Sequence, residues 1–116
     1  MLTRSSKNKG KRLQKEVAAM VKEHIEAQTG LELDPRDVVS NMMSEAGIDV
    51  KLSPLAEKYF PWSIECKNVE KINIWSAIKQ AEDNCLPNTK AMVVFRRNNM
   101  PAYVVVRAED YFARKT

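Results

Sequence analysis

The sequence predicts a single α/β domain in which a mixed β-sheet is flanked by helices. Three patterns lead to this prediction: a long segment with apolar residues at helical spacing, two segments that alternate apolar and charged residues, and two apolar runs joined as in a hairpin. The chain has 116 residues, of which 44% are hydrophobic, and this suits one globular domain with its own core.

The first helix is predicted from an apolar stripe that ends just before Gly30, a residue suited to a left-handed helix cap. The members of the stripe recur every three or four residues: Leu13, Val17, Met20, Val21, His24 and Ile25. Strands are then predicted at residues 38–42, 48–52 and 63–67, and residues 55–61 are expected to be irregular.

The second half of the chain predicts a helix, a β-hairpin and a short closing helix. Asn73 can cap a helix whose apolar face consists of Ile74, Ile78, Ala81 and Cys85. Residues 91–95 and 103–106 are typical of adjacent strands joined by a turn at 96–101, and residues 108–113 favour a last helix. The order of these elements indicates a mixed sheet covered by helices.

Positive charge is concentrated at the start of the chain. Residues 1–15 contain six basic and no acidic side chains, whereas the rest of the chain holds 13 basic and 15 acidic ones. We therefore divide the chain into a basic arm, residues 1–12, and a domain, residues 13–116. Such an arm favours a polyanionic partner over a merely solubilising tail. The candidate nucleic-acid contacts are Lys7, Lys9, Lys11, Arg12 and Lys15, with Arg96 and Arg97 at the hairpin turn as either phosphate contacts or solvated turn residues.

Several classes of protein do not fit the sequence. No apolar run is long enough to cross a membrane, and no apolar stretch follows the basic start as in a signal peptide. The two cysteines are expected to be reduced, and the single histidine makes a zinc site improbable. These features predict a cytoplasmic protein, and its compactness is compatible with a phage origin.

The two alternating segments carry the residues most suited to chemistry. Asp49 shares a strand face with Lys51, and Glu65 shares one with Lys67. If the strands pair with these faces on one side, the group is either a salt-bridge cluster or a site for Mg²⁺, with the carbonyl oxygen of Cys66 as a third ligand. Lys67 could then hold an attacking water or stabilise a charged transition state.

These segments also resemble a known family. Residues 47–50 (GIDV) and 62–68 (WSIECKN) are similar to the D…ExK core of the PD-(D/E)XK nucleases, above all the Holliday junction resolvases of phage and archaeal type. The opening KGKRLQKE, residues 9–16, and the helix that carries Gln80 add to the resemblance, which extends from about residue 6 to 112. Ile48 replaces the proline of the motif, and Ser40 and Ser44 compete for the place of a serine that often precedes the aspartate.

The resemblance implies a fold, an activity and the residues that carry it. The fold would be a restriction-endonuclease-like mixed sheet, with Asp49 and Glu65 as metal ligands and Lys67 as the catalytic lysine. Glu16 and Gln80 would be further catalytic groups. The cofactor would be Mg²⁺, with Mn²⁺ expected to substitute and no small-molecule cofactor needed. The substrate would be a four-way DNA junction cut by paired nicks, for which a homodimer would supply two sites.

Two alternatives remain open at this point. The chain could be a related nuclease that cuts linear, flap or mismatched DNA. It could also be a DNA-binding protein without catalytic activity, in which Asp49, Glu65 and Lys67 form a structural charge cluster.

Overall fold

A five-stranded mixed sheet with helices on both faces forms the protein. The structure, a computed structural model, describes residues 4–41 and 47–113, with side chains from residue 8 onward. The elements are α1 (Arg4–Thr29), β1 (Val38–Ser40), β2 (Val50–Leu52), α2 (Pro54–Tyr59), β3 (Trp62–Asn68), α3 (Ile74–Asp83), β4 (Lys90–Arg96), β5 (Tyr103–Val106) and α4 (Ala108–Phe112). The strands lie in the order β1-β2-β3-β4-β5, and β3 and β4 are parallel while the other neighbours are antiparallel.

The larger core lies between α1 and one face of the sheet. Two members of the predicted apolar stripe of α1 do not belong to this core, because Met20 is 58% exposed and His24 is exposed as well. The other four, Leu13, Val17, Val21 and Ile25, are buried there and are each at most 5% exposed. These side chains pack against Val50 of β2, Ile64 and Cys66 of β3, and Val94 of β4. Burial of this stripe fixes how α1 is rotated about its axis, and so decides which of its polar side chains face the end of the sheet.

The helix α1 begins at Arg4 rather than near Leu13, so residues 4–12 continue the helix. The sequence separated these residues as a basic arm, but five of the nine are lysine or arginine, which are good helix formers, and no proline ends the helix here. The backbone of this segment is therefore helical instead of extended.

The opposite face of the sheet is covered by α3. Asn73 caps this helix as predicted, because its side chain accepts a hydrogen bond from Ser76 N at 3.1 Å. The small side chains of Ala77 and Ala81 pack against Val93 of β4 in a second, smaller core. This packing holds α3 above the middle of the sheet.

The structure corrects one predicted element and shortens two others. Residues 55–61 were expected to be irregular, but α2 forms there because Ser53 caps it and Pro54 occupies its first turn, where a missing N–H costs nothing. β1 and β2 are shorter than the segments predicted at 38–42 and 48–52. Ser40 ends β1, whereas Ser44 and position 42 lie outside the described residues. The β4–β5 hairpin and the closing helix agree with prediction. None of the helices described is long and apolar enough to cross a membrane.

Candidate metal centre

Strand pairing brings Asp49 and Glu65 together on the α3 face of the sheet. β2 and β3 are antiparallel with Val50 opposite Ile64, and Asp49 N donates a hydrogen bond to the Ile64 carbonyl at 3.0 Å. Val50 and Ile64 are buried on the α1 side. Because side chains alternate along a strand, their neighbours Asp49 and Glu65 point to the other side.

The backbone of β3 holds the carboxyl group of Asp49. Its Oδ2 accepts a hydrogen bond from Cys66 N at 2.7 Å. Burial raises the pKa of Asp49, although this hydrogen bond and the positive charge of Lys67 oppose the change. Asp49 therefore has a fixed orientation, and burial makes its charged form less favourable than in water.

Glu65 is the more deeply buried of the two acids, with 3% of its surface exposed. Its Oε1 accepts a hydrogen bond from Gln80 Nε2 at 2.9 Å, so α3 fixes one oxygen of the carboxyl group. The other oxygen, Oε2, is buried and finds no hydrogen-bond partner in the part of the chain that the structure describes. Burial and the nearby charge of Asp49 raise the pKa of Glu65 to about 7.

Lys67 and Asn84 complete the surroundings of the two carboxyl groups. Lys67 follows Glu65 by two residues on β3, and its positive charge opposes the rise in the pKa of both acids. Asn84, at the end of α3, lies close enough to Glu65 to lower its pKa as well. The sequence analysis did not identify Asn84, although its position four residues after Gln80 puts the two on the same side of the helix.

The donor atoms at this site suit Mg²⁺. The Cys66 thiol is buried in the α1 core, and burial raises its pKa, so its sulfur is no ligand here. The backbone N–H of Cys66 points towards Asp49, and the carbonyl of Cys66 points to the same side of β3 as this N–H. Within residues 4–41 and 47–113, no group of three or more His, Cys, Asp or Glu side chains could hold a metal. Two carboxylates, a carbonyl and waters are nonetheless a sufficient shell for Mg²⁺, and the buried Oε2 of Glu65 would gain a partner.

Glu16 does not join this pair of acids. Its Oε2 contacts Arg96 Nη1 at the end of β4, and the Arg96 side chain is only 17% exposed. The resemblance implied that Glu16 would be a further catalytic group. The structure instead gives Glu16 a basic partner from the opposite end of the sequence.

The predicted nucleic-acid contacts fall into two groups. Lys9, Arg12 and Arg96 line a cleft of about 330 Å³ together with Glu16 and the side chains of Asn68, Asn98 and Asn99. Lys11 and Lys15 are exposed on α1, and Arg97 is exposed just after β4. Lys7 belongs to α1, but its side chain lies outside the described part of the chain. We call the cleft that is lined by Lys9, Arg12, Arg96, Glu16 and the three asparagines the basic cleft.

Comparisons of the chain with models of protein families, with curated proteins and with solved structures found no match.

Proposed function

We propose that the protein is a Mg²⁺-dependent DNA endonuclease with a restriction-endonuclease-like fold, and that its substrate is a four-way junction. The observation that carries the proposal is the meeting of Asp49, Glu65 and Lys67 on one face of the sheet, with a buried carboxylate oxygen that lacks a partner. The five-stranded mixed sheet between α1 and α3 is consistent with the proposed fold.

Each side chain of the centre has a chemical task in this proposal. Asp49 and Glu65 would hold Mg²⁺ between them, with their orientations set by Cys66 N and by Gln80. When bound, Mg²⁺ lowers the pKa of a coordinated water and neutralises charge on a phosphate. Lys67 would orient the attacking water or offset the negative charge that develops on the phosphate oxygens.

The decisive experiment is incubation of a labelled four-way junction with the purified protein, with Mg²⁺ or with EDTA. We expect nicks on opposing strands in Mg²⁺ and intact, bound junction in EDTA. Flap, mismatched and linear duplexes of equal length are the matched substrates, and equal cutting of all of them would favour the less selective nuclease. A junction that is bound but never cut in Mg²⁺ or Mn²⁺ would favour a DNA-binding protein without catalytic activity.

A junction resolvase also needs two centres, and each chain carries one. We therefore propose a two-fold homodimer. A cavity of about 520 Å³ lies between α3 and β5, and Trp75, one of its lining residues, is 78% exposed. Two further large side chains with apolar surface are exposed on the neighbouring elements, Tyr103 of β5 at 59% and Phe112 of α4 at 76%. Exposed apolar surface of this kind is typical of an interface between proteins.

The homodimer predicts a mass near twice 13.3 kDa in sedimentation velocity at micromolar concentration. Changing Trp75 to Glu should shift the protein towards monomer, since a charge in an apolar interface is costly. Glu57→Lys on α2 is the control and should leave the mass unchanged. A wild-type protein that stays monomeric with junction DNA present would contradict the dimer.

A further inference from the structure

The basic cleft lies at the end of the sheet where β3 ends. Asn68 lines the cleft and follows Lys67 directly in the sequence. Asn68 is three positions after Glu65, which corresponds to about 10 Å along a strand. That distance is about the axial rise of three nucleotides of B-DNA. The Glu65 side chain faces α3 whereas the Asn68 side chain contacts α1, so a DNA strand bound at the metal centre would have to pass around this end of the sheet to reach the cleft.

Contacts within the protein hold the walls of the cleft in place. Asn68 Nδ2 donates to the Lys9 carbonyl at 3.4 Å and so ties β3 to α1. Val69 N donates to the Arg96 carbonyl at 3.2 Å, and Asn98 N donates to Glu70 Oε2 at 3.0 Å. The loop after β4 is therefore fixed against the segment that follows β3, and the cleft is formed before any ligand arrives.

The charges of the cleft suit a phosphate group. Three cationic side chains line it and only one acid, Glu16, and that acid is engaged by Arg96. The ion pair restrains the Arg96 guanidinium, which has five N–H donors, so donors remain for an oxygen ligand. A guanidinium held in this way loses little conformational freedom when it binds a phosphate.

We propose that the basic cleft binds a backbone phosphate of the DNA strand a few nucleotides from the one cut, and that Glu16 serves this cleft as the counterion of Arg96 instead of serving the metal. The inference rests on the proposed function for the identity of the strand. It assigns Lys9, Arg12 and Arg96 to one phosphate subsite, whereas Lys11 and Lys15 lie on the exposed surface of α1.

The test measures binding of a labelled 20-base-pair DNA duplex by fluorescence anisotropy in EDTA, where no cutting occurs. Arg12→Ala and Arg96→Gln should each weaken binding about tenfold. Each should also reduce the slope of log K against log salt by about 0.9 if one phosphate contact is lost. Arg36→Gln, which removes an exposed arginine that pairs with Asp34 outside the cleft, is the matched control and should bind like the wild type.

Because Arg96 is partly buried, melting curves must accompany these measurements, and the exposed Arg12 keeps the test valid if Arg96→Gln unfolds. If Arg12→Ala and a folded Arg96→Gln both bind the duplex with wild-type affinity, the phosphate subsite is overturned. If both variants bind DNA like the wild type and the wild type cuts junctions, only the subsite fails. If the variants lose binding but the wild type never cuts, the subsite stands and the nuclease proposal fails.

Glu16→Gln separates the two roles of Glu16. A counterion in the cleft predicts about two- to fivefold tighter DNA binding, because a charge that repels phosphate is removed. It also predicts no change in the Mg²⁺ concentration that gives half of the maximal thermal shift. If Glu16 is instead a metal ligand, Glu16→Gln should leave DNA binding unchanged and weaken the response to Mg²⁺. A tenfold weaker response to Mg²⁺ with unchanged DNA binding would overturn the assignment.

Discussion

Glu65→Gln should reduce the rate of junction cutting in Mg²⁺ by at least about 10³-fold. The amide keeps the shape of the side chain but cannot offer the negative charge that binds the cation. The variant should still bind the junction in EDTA with wild-type affinity, because the predicted phosphate contacts lie on other residues. A gel assay of single-turnover cutting, beside an anisotropy titration, measures both quantities.

Two companion variants show whether the loss comes from the metal centre. Glu57→Gln changes an acid on α2, outside both the metal centre and the cavity between α3 and β5, and it should cut at the wild-type rate. Lys67→Met should lose cutting while Mg²⁺ still stabilises the protein, since both carboxylates remain. Cutting by Glu65→Gln within threefold of the wild type would show that the reaction does not depend on this centre.

The core of this centre could be predicted because strand periodicity is a simple geometric rule. Once residues 48–52 and 63–67 are taken as neighbouring strands, Asp49, Glu65 and Lys67 must alternate with buried apolar residues. The hydrogen bond from Cys66 N to Asp49 could not be predicted, since it depends on Asp49 lying one residue ahead of β2 in the ladder.

The environment of Glu16 could not be predicted from the sequence. Helical spacing locates Glu16 near the edge of the apolar stripe, but its partner Arg96 lies 80 residues further along the chain. The contact depends on how α1 is rotated over the sheet and on where β4 ends. The start of α1 was missed for a local reason, since the basic residues of its first turns favour a helix without marking its boundary.

The raised pKa of Glu65 predicts how stability depends on pH in the absence of metal. The pKa is about 7 in the folded protein, against 4.5 as the ordinary value for glutamate. The folded state therefore binds a proton that the unfolded state has already released between these two pH values. By linkage, the contribution of Glu65 to the free energy of unfolding falls as pH rises through this range, by about 1.4 kcal/mol per pH unit for one proton.

Comparison of the wild type with Glu65→Gln isolates this contribution. The two proteins should have similar unfolding free energies near pH 4.5, because Glu65 is then neutral in the folded state. At pH 8 in EDTA the variant should be more stable than the wild type by about 2 to 3 kcal/mol. Folding of the wild type then requires either a buried, charged Glu65 beside Asp49 or the uptake of a proton, and both cost free energy. Urea unfolding at a series of pH values measures the difference.

Mg²⁺ should reverse the order of stability of the two proteins. It binds the deprotonated carboxylates, so its stabilisation of the wild type should be small at pH 5 and increase towards pH 8. Glu65→Gln should show little stabilisation at either pH. The loss of activity would then accompany a gain in metal-free stability, which a variant that merely damaged the fold could not produce. A wild type whose stability in EDTA rises between pH 5 and 8 relative to Glu65→Gln would contradict the burial of an unpaired acid at this site.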